Sequence, residues 1–109
     1  AALLSASADI VLVLDGDGII RDVSCSSGVI SLEGGTARWV GKTWESLVTI
    51  ESKNKIQRLL SEADDGNRVV WRQVNIAVGE GFSVPLSFCA LRVGPKGRTI
   101  ALGRDLLLE

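Results

Sequence analysis

Five consecutive branched apolar residues, Ile10 to Leu14, stop at Asp15-Gly16-Asp17-Gly18, and a second apolar run resumes at Ile19. This junction constrains the fold more than any other stretch. A short, continuous apolar run with no polar alternation reads as a strand buried on both faces. Asp-Gly pairs between two such runs are the strongest short-range signal for a β-hairpin. Residues 10–14 and 19–25 are therefore expected to pair as antiparallel strands around a "DGDG" turn.

Two chemical readings of the aspartates compete with the turn. A strand ending in Asp-x-Asp-Gly resembles the opening of haloacid-dehalogenase-type phosphatases, where the first aspartate attacks phosphorus. That chemistry also needs a basic residue and further carboxylates for Mg²⁺ on later parallel strands. Only one long helix follows here, then strands at hairpin spacing, and Asp64 and Asp65 end a helix. A calcium loop fits no better. With Asp15 first, Ile20 falls at the glycine position; with Asp15 third, Gly18 fits but Val13 and Ser24 take the first and last ligand places. The turn accounts for every residue and is preferred.

The rest of the chain follows the same logic. Residues 1–9 are expected to form a short helical cap, and residues 26–38, rich in serine and glycine, a loop with helical turns. "GKTWESLV", 41–48, holds one short helix. Residues 50–63 carry Ile56, Leu59, Leu60 and Ala63 on one face, which predicts a helix N-capped by Thr49 and closed at Gly66. Strands are expected at 68–78, 82–93 and 98–104. In the first, Val70, Val74, Ile76 and Val78 share one face, with Trp71, Gln73 and Asn75 on the other. In the second, Phe82, Val84, Leu86, Phe88 and Ala90 share a face, and Pro85 marks an edge or a bulge. "GPKGRT", 94–99, is too short for a phosphate loop and reads as a hairpin turn.

Composition then narrows the function. A 109-residue chain that is 46% hydrophobic holds one domain with a full core. Its net charge of −1 and lack of a basic stripe argue against direct nucleic-acid binding. No apolar run is long enough to span a membrane, and the N-terminus lacks signal-peptide features. The expected location is cytoplasmic. The chain has no histidine, which removes histidine-based nucleophiles, histidine-ligated haem and most zinc sites. Cys25 and Cys89 have no metal-binding spacing and read as buried thiols on strands. There is no methionine, so the sequence is expected to be a piece of a longer chain.

The order strand, hairpin, strand, loose helical region, one good helix and three antiparallel strands resembles a PAS domain over nearly the whole chain. "IVLVLDGDGIIRDV" resembles the family's opening hairpin, "WVGKTWESLVTIESKNKIQRLL" its run into the connecting helix, and "RTIALGRDL" its last strand and exit. Four pieces together, "SADIVLVLDGDGIIRDV", "VGKTWESLVTIES", "FSVPLSF" and "IALGRDL", are similar to the N-terminal PAS-like domain of the PpsR/CrtJ repressors of photosystem genes. The helix-turn-helix of that family has no counterpart here, so DNA binding is not assigned to this chain. Flavin-adduct PAS domains need an Asn-Cys-Arg-Phe-like motif before the connecting helix, where this chain has "TARWVGKTW"; haem variants usually need a histidine. No cofactor is expected.

The resemblance implies an α+β PAS fold over residues 1–109, a five-stranded antiparallel sheet with helices packed on one face, residues 105–109 starting an exit linker. Residues 10–14 are placed as its central strand, with one face against Ile56 and Leu60. The other face needs a cover, either the "AALL" segment or a partner chain. The expected function is non-catalytic: self-association and signal transmission within a bacterial transcriptional regulator, passed to other domains through "GRDLLLE". Leu3, Leu4, Val11, Val13, Trp71, Leu91 and Val93 are the candidate homodimer interface. The rival is a small-molecule sensor domain, as in a histidine kinase, with a pocket lined by Trp39, Trp44, Ile56, Leu60 and Phe88. A filled core with an apolar outer sheet face favours association; a cavity favours the sensor.

Overall fold

The computed structural model describes residues 10–25, 36–65, 69–79, 81–93 and 97–105. The expected helical cap at 1–9 with Leu3 and Leu4, the helix-closing Gly66, and residues 106–109 of the expected exit linker lie outside them. Five antiparallel strands form one sheet: β1 (Ile10–Leu14), β2 (Ile20–Cys25), β3 (Arg72–Gly79), β4 (Phe82–Val93) and β5 (Arg98–Asp105). Their order across the sheet is β2-β1-β5-β4-β3. One α-helix, α1 (Lys53–Asp65), and 3-10 turns at Thr36–Trp39, Trp44–Leu47 and Ile50–Ser52 complete the fold. This is the α+β arrangement expected from the sequence, with one correction: β5, not β1, is central. The last strand inserts between the first hairpin and the β3–β4 hairpin, a long-range pairing that no local pattern announces.

The "DGDG" segment is a turn built by its own first aspartate. Asp15 Oδ1 accepts hydrogen bonds from the Asp17 and Ile19 amides, at 2.8 and 3.1 Å. Its Oδ2 accepts from Arg21 Nε at 2.8 Å and lies 2.7 Å from Arg21 Nη2. An aspartate that satisfies the amides two residues on replaces backbone partners the turn cannot provide. Gly18, at φ +79°, takes the left-handed conformation that lets the chain re-enter the sheet. The register shifts between Val13 and Leu14, so the turn closes with a bulge.

Strand alternation assigns the two faces. The rows Ile10–Gly103–Phe88, Leu12–Ala101–Ala90 and Leu14–Thr99–Arg92 run across β1, β5 and β4 on the helix side. Rows Val11–Leu102–Cys89 and Val13–Ile100–Leu91 run on the other. Ile10, Leu12 and Leu14 are fully buried, whereas Val11 and Val13 are half-buried. So β1 is buried completely on one face only, a correction to the expectation for its continuous apolar run. The main core joins these residues to Ile20, Trp44, Ile56, Leu59, Val74, Ile76, Leu86 and Phe88. Each large side chain fully buried contributes about 1.5–3 kcal/mol.

The helix begins later than its apolar period suggests. Ile50–Ser52 is a 3-10 turn, and Thr49 is extended but makes no side-chain cap to the backbone. Thr49 Oγ1 donates instead to Ser52 Oγ at 3.2 Å, and Ser52 Oγ accepts the Asn75 amide at 3.0 Å. The Thr49 amide donates to the Asn75 carbonyl at 2.9 Å, and Lys55 Nζ to the Gln73 carbonyl. These contacts satisfy outward backbone groups of edge strand β3, which would otherwise invite another strand. They also explain Pro85, which sits on interior strand β4 rather than on an edge or at a bulge. It faces Asn75, whose amide and carbonyl both point away to Ser52 and Thr49, and it lies beyond the last described β4–β5 pair, Leu86–Asp105. No described ladder bond requires the missing N–H. Strand β3 starts at Arg72, so Val69 to Trp71, expected within it, lie outside the strand.

Candidate functional site

The residues with functional potential divide between the two faces of the sheet. On the helix side, Trp44 leads a 3-10 turn that runs beside the β1–β2 hairpin. Its amide donates to the Gly18 carbonyl at 3.1 Å, Ile20 donates to Lys42, and Gly41 donates to Ile20. These bonds seat the Trp44 ring edge-on against Phe88, with centroids 5.3 Å apart and planes at 73°. Such a pair contributes about 0.5–1.5 kcal/mol beyond its burial. Phe88 in turn lies over Gly103, where a Cβ would come within 2.6 Å of Phe88 Cε1. Gly103 is therefore a receptacle for the ring.

The expected pocket residues have these positions. Trp44, Ile56 and Phe88 are fully buried and Trp39 nearly so, all in the main core. Leu60 is half-buried at the margin of the core and also lines a cleft beside the β1–β2 turn. Among the described residues, Trp44 Nε1 is a buried donor with no acceptor. An unmatched buried donor costs about 1–3 kcal/mol.

On the outer face, Cys89 and Leu102 are buried under a rim of half-buried Val11, Leu91 and Ile100. Val13 is half-buried beside them, Val93 is 48% exposed and Trp71 37% exposed. The Arg104 guanidinium stacks over the Trp71 ring, 4.5 Å from its centroid. Of the expected interface residues, Val11, Val13, Leu91 and Val93 share this face, and Trp71 flanks it through Arg104. Sequence reading missed Arg104, Gly103 and Ser52. A glycine inside a strand pattern is a signal for close approach and could have marked Gly103; nothing local marks the other two.

The titratable groups offer little chemistry. The Ile19 amide, helped by the Asp17 amide and Arg21, holds Asp15 below the usual carboxylate range against a smaller opposing effect of burial. Both of its oxygens are engaged in the turn. Burial pushes the Cys89 thiol up, against weaker help from the Leu102 backbone and Arg104. A thiol kept protonated is a poor nucleophile. Among the described residues no cluster of His, Cys, Asp or Glu could hold a metal ion, and no helix is long and apolar enough to cross a membrane.

Solved structures share this architecture. The PAS domain of a protein from Colwellia psychrerythraea aligns with TM-score 0.72 at 12% identity, covering 99% of this chain and 98% of that one. The PAS domain of an HTR-like protein from Haloarcula marismortui gives 0.69 at 21% identity, covering 96% and 87%. A domain of a sensory box sensor histidine kinase/response regulator from Geobacter sulfurreducens gives 0.67 at 16%, covering 95% and 89%. No curated protein matches. The family model described as the PAS fold matches residues 4–106, nearly the full length, so the chain belongs to the PAS family, whose domains are typically non-catalytic sensory modules.

Proposed function

We propose that this PAS domain is a non-catalytic regulatory module of a bacterial transcriptional regulator, acting in the cytoplasm, that self-associates through the outer face of its sheet. The observation that carries the reading is the contrast between a helix-side core closed by Trp44 on Phe88 and an outer face whose apolar rim is only half-buried. Association would cover several hundred Å² of apolar surface at about 25 cal/mol per Å². That gain must exceed the roughly 4–15 kcal/mol cost of association. A change in packing at this face would move β5, the central strand, whose Arg104 stacks on Trp71 beside it. The resemblance of "VGKTWESLVTIES" and "IALGRDL" to photosystem-gene repressors supports a regulator of that type. Sedimentation velocity over a micromolar concentration series tests the reading. A concentration-dependent dimer that Val13→Asp weakens by at least about tenfold is expected. A monomer at every concentration would contradict it.

One observation favours the sensor reading. The orphaned Trp44 Nε1 points to a missing acceptor in the interior, which a small polar ligand would supply. The likeness to a sensor histidine kinase domain extends to the fold alone. Native mass spectrometry of the purified domain distinguishes the two: a retained small molecule, lost in Trp44→Phe, would replace association as the primary function.

A further inference from the structure

The 3-10 turn Ile50–Ser52 is built inside out. Ser52 is 1% exposed, while Ile50 is 84% exposed. The inversion has a cause. Ser52 Oγ accepts the Asn75 amide at 3.0 Å, and the Thr49 amide donates to the Asn75 carbonyl at 2.9 Å. Docking the turn on the edge of β3 through these polar atoms leaves the isoleucine outside. Packing does not explain why that position is apolar. Phe82, the first residue of β4, is 72% exposed. These two are the most exposed large apolar side chains among the described residues, and both line one groove of about 410 Å³ together with Glu51. Single exposed apolar residues are ordinary, but two on one concavity mark a contact surface.

A matching surface lies at the other end of β4. Phe82 opens this strand and Val93 closes it, and twelve extended residues rising about 3.3 Å each put them roughly 35 Å apart. Val93 is 48% exposed and pairs with Arg98 of β5, so the two side chains share one face. Arg98 is exposed and makes no hydrogen bond or ion pair among the described residues, and the same holds for Glu51 in the groove. One end of the sheet thus carries two apolar side chains beside a carboxylate. The other carries an apolar side chain beside a guanidinium. Each end complements the other in charge and opposes its own kind.

We propose that the groove receives the Val93–Arg98 end of a second copy of this chain. Val93 of one copy lies between Ile50 and Phe82 of the next, and Arg98 pairs with Glu51. The contact is heterologous: each one formed leaves a groove free on one copy and a basic end free on the other, so copies add head to tail. It is small, well under the roughly 1,200 Å² of lasting interfaces, and its dissociation constant is on the order of 0.1–1 mM. It does not rest on association through the outer face; Val93 alone borders both surfaces.

Two charge reversals test this. Glu51→Arg sets guanidinium groups against each other, and Arg98→Glu sets carboxylates against each other. Each variant alone should add head to tail at least about fivefold more weakly than the wild-type chain. An equimolar mixture restores opposite charges at every contact between the two variants. Amide-detected NMR at about 1 mM chain, with one variant labelled at a time, should then show shifts on mixing at Ile50, Phe82, Val93 and Arg98 as large as those on concentrating the wild type. Outer-face association is common to both variants and does not change on mixing. Ile50→Ser, at a side chain the core does not use, should weaken the wild-type contact about tenfold with the rest of the spectrum unchanged. The proposal is overturned if concentrating the wild type shifts neither end or only one, if the folded variants associate like the wild type, or if the mixture behaves as the variants do apart.

Discussion

The two faces of one sheet are built from the same strands, yet they do different work. Toward the helix, Ile10, Leu12 and Leu14 are fully buried in the core that holds Trp44 and Ile56, and Gly103 makes room for Phe88. Away from it, Val11, Val13, Leu91 and Ile100 are equally apolar but only half-covered. The period of two makes residues one position apart into members of different structures. The helix side provides the closed core; the outer side keeps a half-covered apolar surface, which the proposed association would use.

The largest expected effect that sharpens this contrast is at Phe88. Phe88→Ala should cost about 3–5 kcal/mol in denaturant unfolding, since it also removes the partner of Trp44. Val11→Ala should cost less than half as much at concentrations where the chain is monomeric; equal losses would erase the distinction between faces. Next is Gly103→Ala, expected to cost about 1–3 kcal/mol because the new methyl meets the Phe88 ring. Phe88→Leu in the same chain should recover part of that loss, and strict additivity would show that the ring is not the obstacle.

Acid gives a smaller effect at the turn. Asp15 is held below its ordinary value in the fold, so its contribution to stability is complete above the unfolded-state pKa, near 3.9. It is lost as pH falls from there through the lowered value. Thermal melts between pH 6 and 2 should show a part of the acid destabilisation that is absent in Asp15→Asn. Identical pH profiles would remove the turn bonds as its cause. The smallest effect is expected for Trp44→Phe, which loses apolar contact but also removes an unsatisfied donor. Its cost should fall below that of Phe88→Ala by at least about 2 kcal/mol.

Much of this was legible in the sequence, for reasons specific to each element. The β1–β2 hairpin announced itself because turn chemistry is local: Asp15 bonds to amides two and four residues away. The faces of β1 and β4 followed from alternation. The 3-10 entry to α1 did not, because Thr49 and Ser52 bond to Asn75, over twenty residues away, instead of to the helix itself. The central place of β5 depends on long-range pairing with Ile10–Leu14, which alternation cannot order. The Trp44 and Phe88 rings pack against each other, and whether two aromatic residues enclose a space or fill it depends on a third residue, Gly103.

The central claim is that the outer face is an interface while the inner face is a permanent core. Methyl NMR with a soluble paramagnetic probe tests it directly, at a concentration above and one below the association midpoint. Methyls of Ile10, Leu12 and Leu14 should be shielded at both. Those of Val11, Val13, Leu91 and Ile100 should be shielded when associated and strongly broadened on dilution, and in Val13→Asp the remaining outer methyls should be broadened at both. Outer-face methyls equally accessible at high and low concentration would contradict the account.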